Sequence, residues 1–582
     1  MFTVKDQDRK LFLAALEKQN SRYNEEWKCP TDRLGAANYH TQLAFCDVHS
    51  TREAFNYAAS LMMTGEEADR IRACDVLWHA CALQDKNPAN KTYGIWSWYM
   101  EEPLEKMAPP DWNWADFCGK AILQVMIHHA DRIPHDLYLE LEDTLRNACL
   151  SIFRRNVEWS YTNIAIMGAY VTILGGQILN WPWMYRYGKS RFQKFVEATR
   201  ENGAFAEYNS ATYTVVAIED LTRLKDDAKD PEIVALAEEM LDLAWKTVAE
   251  HFHAPTAQWC GPNARSYNWL TRKATLSFLE HCLHHNINLA GDDFEYSPDW
   301  AYLDLDCPEK YRYAFGKCIP HDTILTFTTG PDINSPKDST ATLHMEEGYA
   351  ISSWNVSSTW NQRRNLLSYW GGEKTRYINA TILHDLYDFS SGMYVTAQKT
   401  GHAITIASMV SDGGDTHCNL DMIQGEMIRA YDLRVRLELG GAYESEWVID
   451  GDTATLCDGG ITIRVKLLDA EFDGVKKSFS IAHPADDMGK ILKHNDLHRR
   501  IPEGEQRSYL DVIFYSGEER EFKLNEIASA YAAIAVSMDD TLPEEAVCSC
   551  EGDMVKVHWG ELMAATTKRP AKRAVWSYKS KA

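Results

Sequence analysis

The sequence predicts a fold of the α+β multidomain class, in which an N-terminal (α/α) toroid of helical hairpins is followed by a C-terminal antiparallel β-sandwich. The chain of 582 residues is too long for one hydrophobic core. Its apolar residues recur at helical spacing up to about residue 290 and alternate with a period of two beyond about residue 320. We therefore expect a toroid domain over residues 1–290, a linker over 291–320 and a sandwich domain over 321–582.

Helices are expected throughout the first half. The capping-box patterns Ser50-x-x-Glu53 and Thr64-x-x-Glu67 precede two segments with apolar residues at helical spacing. Further helical segments are expected near residues 116–130, 136–153, 162–178, 188–199, 213–227, 231–251 and 268–285. Successive helices without intervening strands favour packed hairpins. Because no repeat of fixed length is present, a closed toroid is preferred to a solenoid.

The second half contains short alternating segments that end in Gly, Asp or Asn turns. Examples are HDTILTFTTG at 321–330, GHAITIASMVSDGG at 401–414 and SYLDVIFYSGEEREFKL at 508–524. Alternation of this kind predicts strands with one buried face. Many short strands at regular spacing are typical of an antiparallel sandwich.

Composition narrows the class of function. Hydrophobic residues make up 45% of the chain and charged residues 25%, as in ordinary globular proteins. The formal net charge of −24 argues against a nucleic-acid partner and against an anionic membrane surface. We find neither a signal peptide nor a run of about 20 apolar residues. The scattered cysteines favour free thiols. A cytoplasmic location is therefore expected, with a trimmed secreted form as the alternative, and a homodimer is compatible with these features.

A segment rich in tryptophan and carboxylates spans residues 92–117. Pro103 and the Pro109-Pro110 pair prevent one continuous helix there, so two helix ends joined by a loop are expected. The tryptophans are Trp96, Trp98, Trp112 and Trp114, and the carboxylates include Asp111 and Asp116. Indole faces bind sugar rings, so these tryptophans are candidate substrate-binding residues. Packing between helices explains them equally well.

Three further clusters carry groups suited to proton transfer or to binding an anion. The stretch 202–217 contains Glu207, Tyr208, Asn209, Ser210 and Tyr213 where a loop leads into a helix. Capping of that helix by Asn209 or Ser210 is the simpler interpretation.

Asn163 stands at another expected helix start, where it either caps the helix or donates to a substrate carboxylate. In the loop 259–267, Arg265 and Tyr267 follow the Gly261-Pro262 turn, which favours projection of Arg265 into a cleft.

These features together resemble polysaccharide lyases of the chondroitin AC and hyaluronate lyase type, and of the heparinase II/III-like type. In the first group a Trp-rich segment precedes a catalytic Asn, as Asn163 follows TYGIWSWY and DWNW here. A Gly-Ser-Phe turn then precedes a catalytic His, where this chain has Gly203-Ala204-Phe205 and Tyr208. An Arg motif follows in a later loop, as Arg265-Ser266 does here. In the heparinase-like group the Tyr is central and a His often comes from the sandwich domain.

The resemblance implies β-elimination at a uronic acid. This reaction needs a group to neutralise the carboxylate, a base for the C5 proton and an acid for the leaving oxygen. Asn163 and Arg265 would neutralise and position the substrate, and Tyr208 or Tyr213 would act as base, acid or both, with Tyr267 in reserve. We expect a nearby cation such as Arg265 to lower the pKa of Tyr208. Glu207 and Asn209 are expected to contact the substrate.

The sandwich half offers His344 and His384 as further candidate catalytic residues, although a lone His is more often structural. Arg363 and Arg364 follow Trp354 and Trp360 and are expected to bring positive charge to an anionic oligosaccharide or polysaccharide.

No cofactor is expected. His281 and His285 have the spacing of two zinc ligands, but without an HExxH motif or a third ligand nearby in the sequence no metal is expected either.

Our prediction is a cytoplasmic lyase that acts, exolytically, on uronate-containing oligosaccharides. One alternative is a glycoside hydrolase on the same helical scaffold, which would pair Glu207 with Asp116 or Asp111. The other is a carbohydrate-binding protein without catalysis.

Overall fold

A computed structural model describes residues 4–35, 40–328, 330, 335–414, 423–494, 506–575 and 578–581. By its contacts the chain divides into two compact units. The first comprises Met1–Arg200, Tyr213–Ala244 and Lys273–Cys307, and the second comprises Glu201–Thr212, Trp245–Arg272 and Pro308–Ala582. Two short segments from between the helices thus belong to the second unit.

Most helices lie in the first half of the chain. The bounds of α4, α5, α6, α8 and α9 lie within about two residues of the predicted segments, whereas α7 begins at Pro182, before the predicted residue 188. The α-helices are α1 (Arg9–Asn20), α2 (Thr51–Met63), α3 (Glu67–Ala82), α4 (Trp114–His128), α5 (His135–Arg155), α6 (Thr162–Ile178), α7 (Pro182–Asn202), α8 (Tyr213–Asp227), α9 (Pro231–His251), α10 (Lys273–Cys282), α11 (Glu309–Gly316) and α12 (Pro484–His494).

Within the first unit the helices pack as hairpins. Helix α2 packs against α4, α4 against α6 and α6 against α8, while α3 and α5 pair with α2 and α4. This arrangement confirms the predicted helical domain. The Ser50 cap is also confirmed, since its side chain accepts from the amide of Glu53. The second capping box is wrong: α3 begins at Glu67 with Glu66 as N-cap, and the Thr64 hydroxyl accepts instead from the amide of Glu66 at 3.1 Å.

Part of the predicted linker is ordered against the helices of the first unit. Residues Pro298–Tyr302 form a 3₁₀ turn. The Trp300 indole N–H donates to the Glu219 carboxylate at 2.9 Å, and the Tyr302 hydroxyl donates to the carbonyl of Ala59 at 2.7 Å. These bonds join the turn to α8 and α2.

Antiparallel strands make up most of the second half, and three short strands precede α2 in the first. The bounds are β1 (Tyr23–Asn24), β2 (Cys29–Arg33), β3 (Asp47–His49), β4 (Phe252–His253), β5 (Gln258–Trp259), β6 (His321–Phe327), β7 (Ser339–Met345), β8 (Tyr349–Trp354), β9 (Leu366–Trp370), β10 (Arg376–His384), β11 (Tyr387–Asp388), β12 (Gly392–Lys399), β13 (His402–Met409), β14 (Met427–Gly441), β15 (Val448–Asp450), β16 (Thr453–Asp458), β17 (Ile461–Phe472), β18 (Val475–Lys476), β19 (Phe479–Ala482), β20 (Arg507–Lys523), β21 (Ala530–Ser537), β22 (Val547–Glu551), β23 (Met554–Trp559), β24 (Leu562–Thr567) and β25 (Tyr578–Lys581).

Two large sheets form the sandwich of the second unit. One has the strand order β19-β20-β14-β10-β9-β8-β7-β6, with β11 beside β10, and the other has the order β12-β13-β21-β17-β16-β15, with β18 beside β17. Side chains such as Val435 and Leu510 from the first sheet and Val465 and Ile534 from the second share one buried core. The predicted antiparallel sandwich is therefore confirmed.

A third sheet, β22-β23-β24-β25, covers the outer face of the second large sheet. Residues such as Ile404 and Ala533 of the large sheet pack with Val557 and Ala564 of the small one. Within the described part of the chain, we find no helix with the length and apolar character needed to cross a membrane.

Candidate functional site

Asn209 joins two segments of the second unit by hydrogen bonds of its side chain, and each of these segments follows a helix. Its amide donates to the carbonyls of Cys260 (2.6 Å) and Pro262 (3.2 Å). Its side-chain oxygen accepts from the Trp259 indole at 2.5 Å. Asn209 is buried and has a φ of 53°, a conformation that Asn tolerates better than most residues.

This geometry shows what Asn209 does locally. Helix α8 begins only at Tyr213, so Asn209 and Ser210 do not occupy its N-cap position. The amide of Asn209 instead holds the loop that carries Arg265. Asn209 remains a predicted substrate contact, but its observed bonds are those of a residue that positions the loop.

Tyr208, beside Asn209, forms a buried hydrogen-bonded pair with His251 at the end of α9. The Tyr208 hydroxyl lies 2.9 Å from His251 Nε2, and His251 Nδ1 lies 2.8 Å from the carbonyl of Thr247. Because a carbonyl only accepts, Nδ1 carries the imidazole proton and Nε2 accepts from the tyrosine. Burial lowers the pKa of His251 to about 4, so its ring is neutral near pH 7.

The expected lowering of the Tyr208 pKa is wrong. Burial raises the pKa of this phenol well above its ordinary value, and the carboxylate of Glu250 raises it further. The ring is 3% exposed and packs edge-on against His251, Phe327 and Trp354. Tyr208 is therefore a protonated, enclosed phenol, and the Arg265 cation is engaged elsewhere.

Arg265 is held in one orientation by three side chains of the second unit. Its Nη1 pairs with a Glu207 carboxylate oxygen at 2.7 Å, and its Nε donates to Gln362 Oε1 at 3.1 Å. Its guanidinium lies 5.6 Å from the centre of the Trp360 ring. Glu207 is buried, whereas the Arg265 side chain keeps 17% of its surface exposed. The side chain is thus oriented by its partners and still in contact with solvent, where a guanidinium can attract a carboxylate.

The backbone around Arg265 is joined to the sandwich. The amide of Ser266 donates to the carbonyl of Gln362 at 2.7 Å, and the amide of Arg364 donates to the carbonyl of Asn263 at 2.9 Å. The Asn263 side chain donates in turn to the carbonyl of Asn209 at 2.5 Å. Tyr267, two residues beyond Arg265, is 37% exposed. The loop therefore presents Arg265 and the partly exposed Tyr267 on a fixed backbone, and the segment that carries Gln362 adds the Trp360 ring.

Arg363 and Arg364, predicted to bind substrate, point into the protein. Arg363 donates to the carbonyls of Phe389 (2.9 Å) and Gly392 (2.7 Å), and it is 2% exposed. Arg364 donates to the carbonyl of Ser266 at 2.9 Å and lies over the Trp269 ring at 5.2 Å. Burial lowers the pKa of Arg364. These contacts stabilise the loops near Arg265 and leave little surface for a ligand.

The two candidate histidines of the sandwich are nearly buried and hydrogen-bonded within the second unit. His344 Nδ1 lies 2.7 Å from an Asp322 carboxylate oxygen. His384 Nε2 lies 2.9 Å from the carbonyl of Arg429 and 3.4 Å from an Asp385 carboxylate oxygen. A carboxylate or carbonyl partner orients an imidazole, so both rings are fixed in place. Their catalytic role remains a prediction.

The remaining predicted catalytic residues lie in the first unit. Asn163 is the second residue of α6 and is buried. The N-cap position belongs to Tyr161, so the capping interpretation of Asn163 is wrong. Tyr213 is the first residue of α8 and is half-buried.

The tryptophan cluster divides into core and partly exposed members. Trp96 is fully buried and donates to the carbonyl of Ala80 at 2.9 Å. Stacking of Trp96 on a sugar is therefore wrong, because neither face of its ring reaches the surface. Trp98 stacks on the buried Trp114 with ring centres 5.0 Å apart, and Trp98 and Trp112 are half-buried. Only the last two have the exposure that stacking on a ligand requires.

The carboxylates of this segment differ in their surroundings. Asp111 accepts from the Trp98 indole at 3.1 Å. Asp116 is buried, and burial raises its pKa to about 7, an effect that Arg155 and Arg191 reduce. Its Oδ1 has no hydrogen-bond partner among the described residues. A carboxyl group in this condition can hold a proton near pH 7.

His281 and His285, which have zinc-ligand spacing, make other contacts. His281 stacks on Trp300 with ring centres 5.1 Å apart, and His285 Nδ1 lies 3.1 Å from a Glu280 carboxylate oxygen. Nowhere in the described ranges do three or more His, Cys, Asp or Glu side chains gather in a way that could hold a metal ion.

Sequence reasoning missed the partners that define this site. His251 had no assigned task, because its link to Tyr208 spans 43 residues. Gln362 and Trp360 had no assigned task, although both contact Arg265. The concentration of Trp, Gln and Arg over residues 360–364 is the signal that could have suggested a joint role.

Comparisons with known proteins give one family match and several structural similarities at low sequence identity. Residues 10–289 match the family described as a domain of unknown function (DUF8769). No curated protein matches the sequence. Among solved structures, heparinase III is similar at 10% identity and a TM-score of 0.49, with 100% of this chain and 91% of that chain covered.

Two further solved structures are similar. Chondroitin AC lyase from Streptomyces coelicolor A3, in complex with chondroitin sulphate, matches at 8% identity and a TM-score of 0.46, over 89% of this chain and 80% of that chain. Heparan sulfate lyase HepC from Pedobacter heparinus matches at 10% identity and a TM-score of 0.35, over 98% and 94%.

Proposed function

We propose that this protein is a lyase that cleaves uronate-containing glycans by β-elimination. The observation that carries the proposal is the fixed Arg265 guanidinium, which Glu207 and Gln362 hold over the Trp360 indole while part of its surface stays exposed. A uronate offers a carboxylate to such a cation and an apolar ring face to such an indole. Both contacts suit one sugar residue.

Arg265 would act on the charge that develops when the C5 proton leaves. Removal of that proton moves negative charge onto the adjacent carboxylate, and a preorganised cation stabilises this charge without having to move. Glu207 would fix the orientation of Arg265 rather than transfer a proton. Asn163 is kept as the second predicted donor to the substrate carboxylate.

The base in this proposal is a tyrosine that solvent reaches. Tyr208 is enclosed and donates its proton to His251, so we assign it a positioning role. Tyr267 is 37% exposed and Tyr213 is half-buried, and these two remain the candidates for the proton transfers. His344 and His384 remain candidates for the acid.

The test is ultraviolet absorbance during incubation of the full chain with a panel of uronate oligosaccharides. β-Elimination leaves a C4–C5 double bond conjugated to the carboxylate, whereas hydrolysis leaves none. We expect absorbance to rise with the intact protein and to be lost in either Tyr213→Phe or Tyr267→Phe, which identifies the base. Retention of activity in both variants would overturn the assignment of the base.

A glycoside hydrolase is the second candidate, and one observation favours it. The pKa of Asp116 is raised to about 7, which is the property that a general acid needs. New reducing ends without absorbance, lost in Asp116→Asn, would establish hydrolysis and exclude the lyase. Binding of the same oligosaccharides with no product would indicate a carbohydrate-binding protein.

A further inference from the structure

Four aromatic side chains form a continuous surface cluster between α5 and α7 in the first unit. We call Phe153, Trp181, Trp183 and Tyr187 the aromatic patch. The ring centre of Phe153 lies 5.2 Å from that of Trp183 and 4.9 Å from that of Tyr187, and the centres of Trp181 and Trp183 are 4.9 Å apart. Nothing in the candidate site described above uses these residues.

The exposure of the patch is unusual because its members adjoin one another. Phe153 is 41% exposed and Trp183 37%. Single exposed apolar residues are common on protein surfaces, whereas contiguous ones mark places of interaction. Trp78 in α3 is equally exposed, at 39%, but lies outside the patch. It therefore provides a matched comparison.

Arginines surround the patch. The Arg146 guanidinium lies 5.0 Å from the centre of the Trp181 ring, and that of Arg191 lies 5.6 Å from the centre of the Tyr187 ring. Arg186 is three residues from Trp183 on the same helix. Residues at that spacing are neighbours on a helix surface.

These arginines are not neutralised locally. Within the ranges that the structure describes, Arg146 and Arg186 form no ion pair with a carboxylate. By contrast, Lys189 in the same helix is bound to both Asp230 and Glu232 at 2.6 Å. In a protein with a formal net charge of −24, the patch is thus a local concentration of positive charge.

We propose that the aromatic patch binds an anionic oligosaccharide, one that carries uronate or sulfate groups. Sugar rings would lie against the indoles of Trp181 and Trp183, and the anionic groups would pair with Arg146 and Arg186. This surface has no catalytic task in the proposed reaction. It would hold a long glycan at a second place on the protein.

The test is retardation of the full-length protein during native electrophoresis in gels that contain chondroitin sulfate, with dextran gels as the neutral control. We expect retardation by chondroitin sulfate alone. Trp183→Ala should raise the apparent Kd about fivefold, a loss typical of one aromatic contact. Trp78→Ala should bind like the unmodified protein. Unchanged circular dichroism would show that both variants are folded.

Two results would overturn the proposal. The first is equal retardation of Trp183→Ala and Trp78→Ala. The second is unchanged retardation together with a fall in mass by light scattering for Trp183→Ala, which would show that a second copy of the chain covers the patch. Arg265→Ala separates this proposal from the enzymatic one. It should abolish cleavage and keep retardation, whereas loss of retardation there, but not in Trp183→Ala, would assign the binding to Arg265.

Discussion

Arg265 and the adjacent pair Arg363 and Arg364 show how differently one residue type is used within the second unit. Arg265 is bound to a carboxylate and an amide and keeps part of its fork at the surface. Arg363 donates to two backbone carbonyls and is almost wholly buried. Both cations are fixed, but of the two only Arg265 keeps an appreciable part of its side chain exposed, 17% against 2% for Arg363.

The hydrogen-bond partners of these arginines account for their different roles. A backbone carbonyl that loses a buried donor stays unsatisfied, so the bonds of Arg363 stabilise the fold itself. A carboxylate such as Glu207 neutralises and orients the cation, and part of the Arg265 side chain stays exposed. The same contrast separates the enclosed phenol of Tyr208 from the accessible phenol of Tyr267. The four predictions below probe this contrast, from the largest expected effect to the smallest.

The strongest test of Arg265 is its removal. Arg265→Ala should lower kcat on uronate oligosaccharides by about 10²–10³-fold, the range for loss of one preorganised group that stabilises developing charge. The free energy of unfolding should fall as well, because the buried Glu207 carboxylate loses its cation. Steady-state absorbance assays and urea unfolding measure the two quantities. Arg265→Lys is the control, because it keeps the charge and loses the fork.

Arg363 should affect stability and leave activity almost unchanged. Arg363→Ala removes a buried cation that donates to the carbonyls of Phe389 and Gly392 and lies 3.6 Å from an Asp388 carboxylate oxygen, so we expect the free energy of unfolding to fall by about 3 kcal/mol. Activity per folded molecule should remain within a fewfold of the unmodified protein. Urea unfolding followed by tryptophan fluorescence measures the first quantity. A stable variant that has lost activity would contradict this prediction. It would show that Arg363, like Arg265, acts on the substrate.

Stability should depend on pH through His251. Its pKa is about 4 in the folded protein and 6.5 in an unfolded chain, so the unfolded state takes up a proton first as the pH falls. The free energy of unfolding should therefore decrease between pH 6.5 and about pH 4, by about 2–3 kcal/mol from this residue.

Other buried histidines titrate in the same range, so the measurement is a difference. His251→Gln keeps a donor for Thr247 and an acceptor for Tyr208, and its unfolding energy should vary less with pH than that of the unmodified protein. Parallel slopes from pH 4 to 7 would contradict the assigned neutral state of His251.

The smallest effect is expected for Tyr208. Tyr208→Phe removes one hydroxyl and leaves His251 Nε2 without its donor, so the free energy of unfolding should fall by about 1 kcal/mol. Cleavage should persist, because the proposed base is a more accessible tyrosine. Thermal unfolding and the absorbance assay measure both. Abolished cleavage in a folded variant would restore Tyr208 as the proton carrier.

The fold was predictable because apolar residues recur at helical spacing in the first half of the chain and alternate with a period of two in the second. Apolar spacing alone located α5, α6, α8 and α9 to within a few residues. It could not reveal β1–β3, since strands of two to five residues show no usable alternation, or the third sheet over the sandwich. That sheet is recognised by which face of the second large sheet it buries, and this depends on contacts distant in the sequence.

The site was predictable only where its residues are close in sequence. Glu207, Tyr208 and Asn209 stand together, and the turn before Arg265 marked its loop. The sequence could not distinguish Trp96 in the core from Trp112 near the surface, because aromatic runs look alike in both settings. Arg363 and Arg364 lie in a loop whose sequence has no apolar periodicity. The sequence therefore could not show that their side chains point into the protein.

The second unit draws three separate stretches of the chain, and this has a consequence for biosynthesis. Segment Glu201–Thr212 leaves the ribosome long before the strands that supply Phe327 and Trp354, the neighbours of the Tyr208 ring. Its final environment therefore cannot form during synthesis of the helices. Truncation of the chain after residue 307 would remove the strands with which this segment packs. The helical half therefore cannot be expressed alone with its loops in their native state.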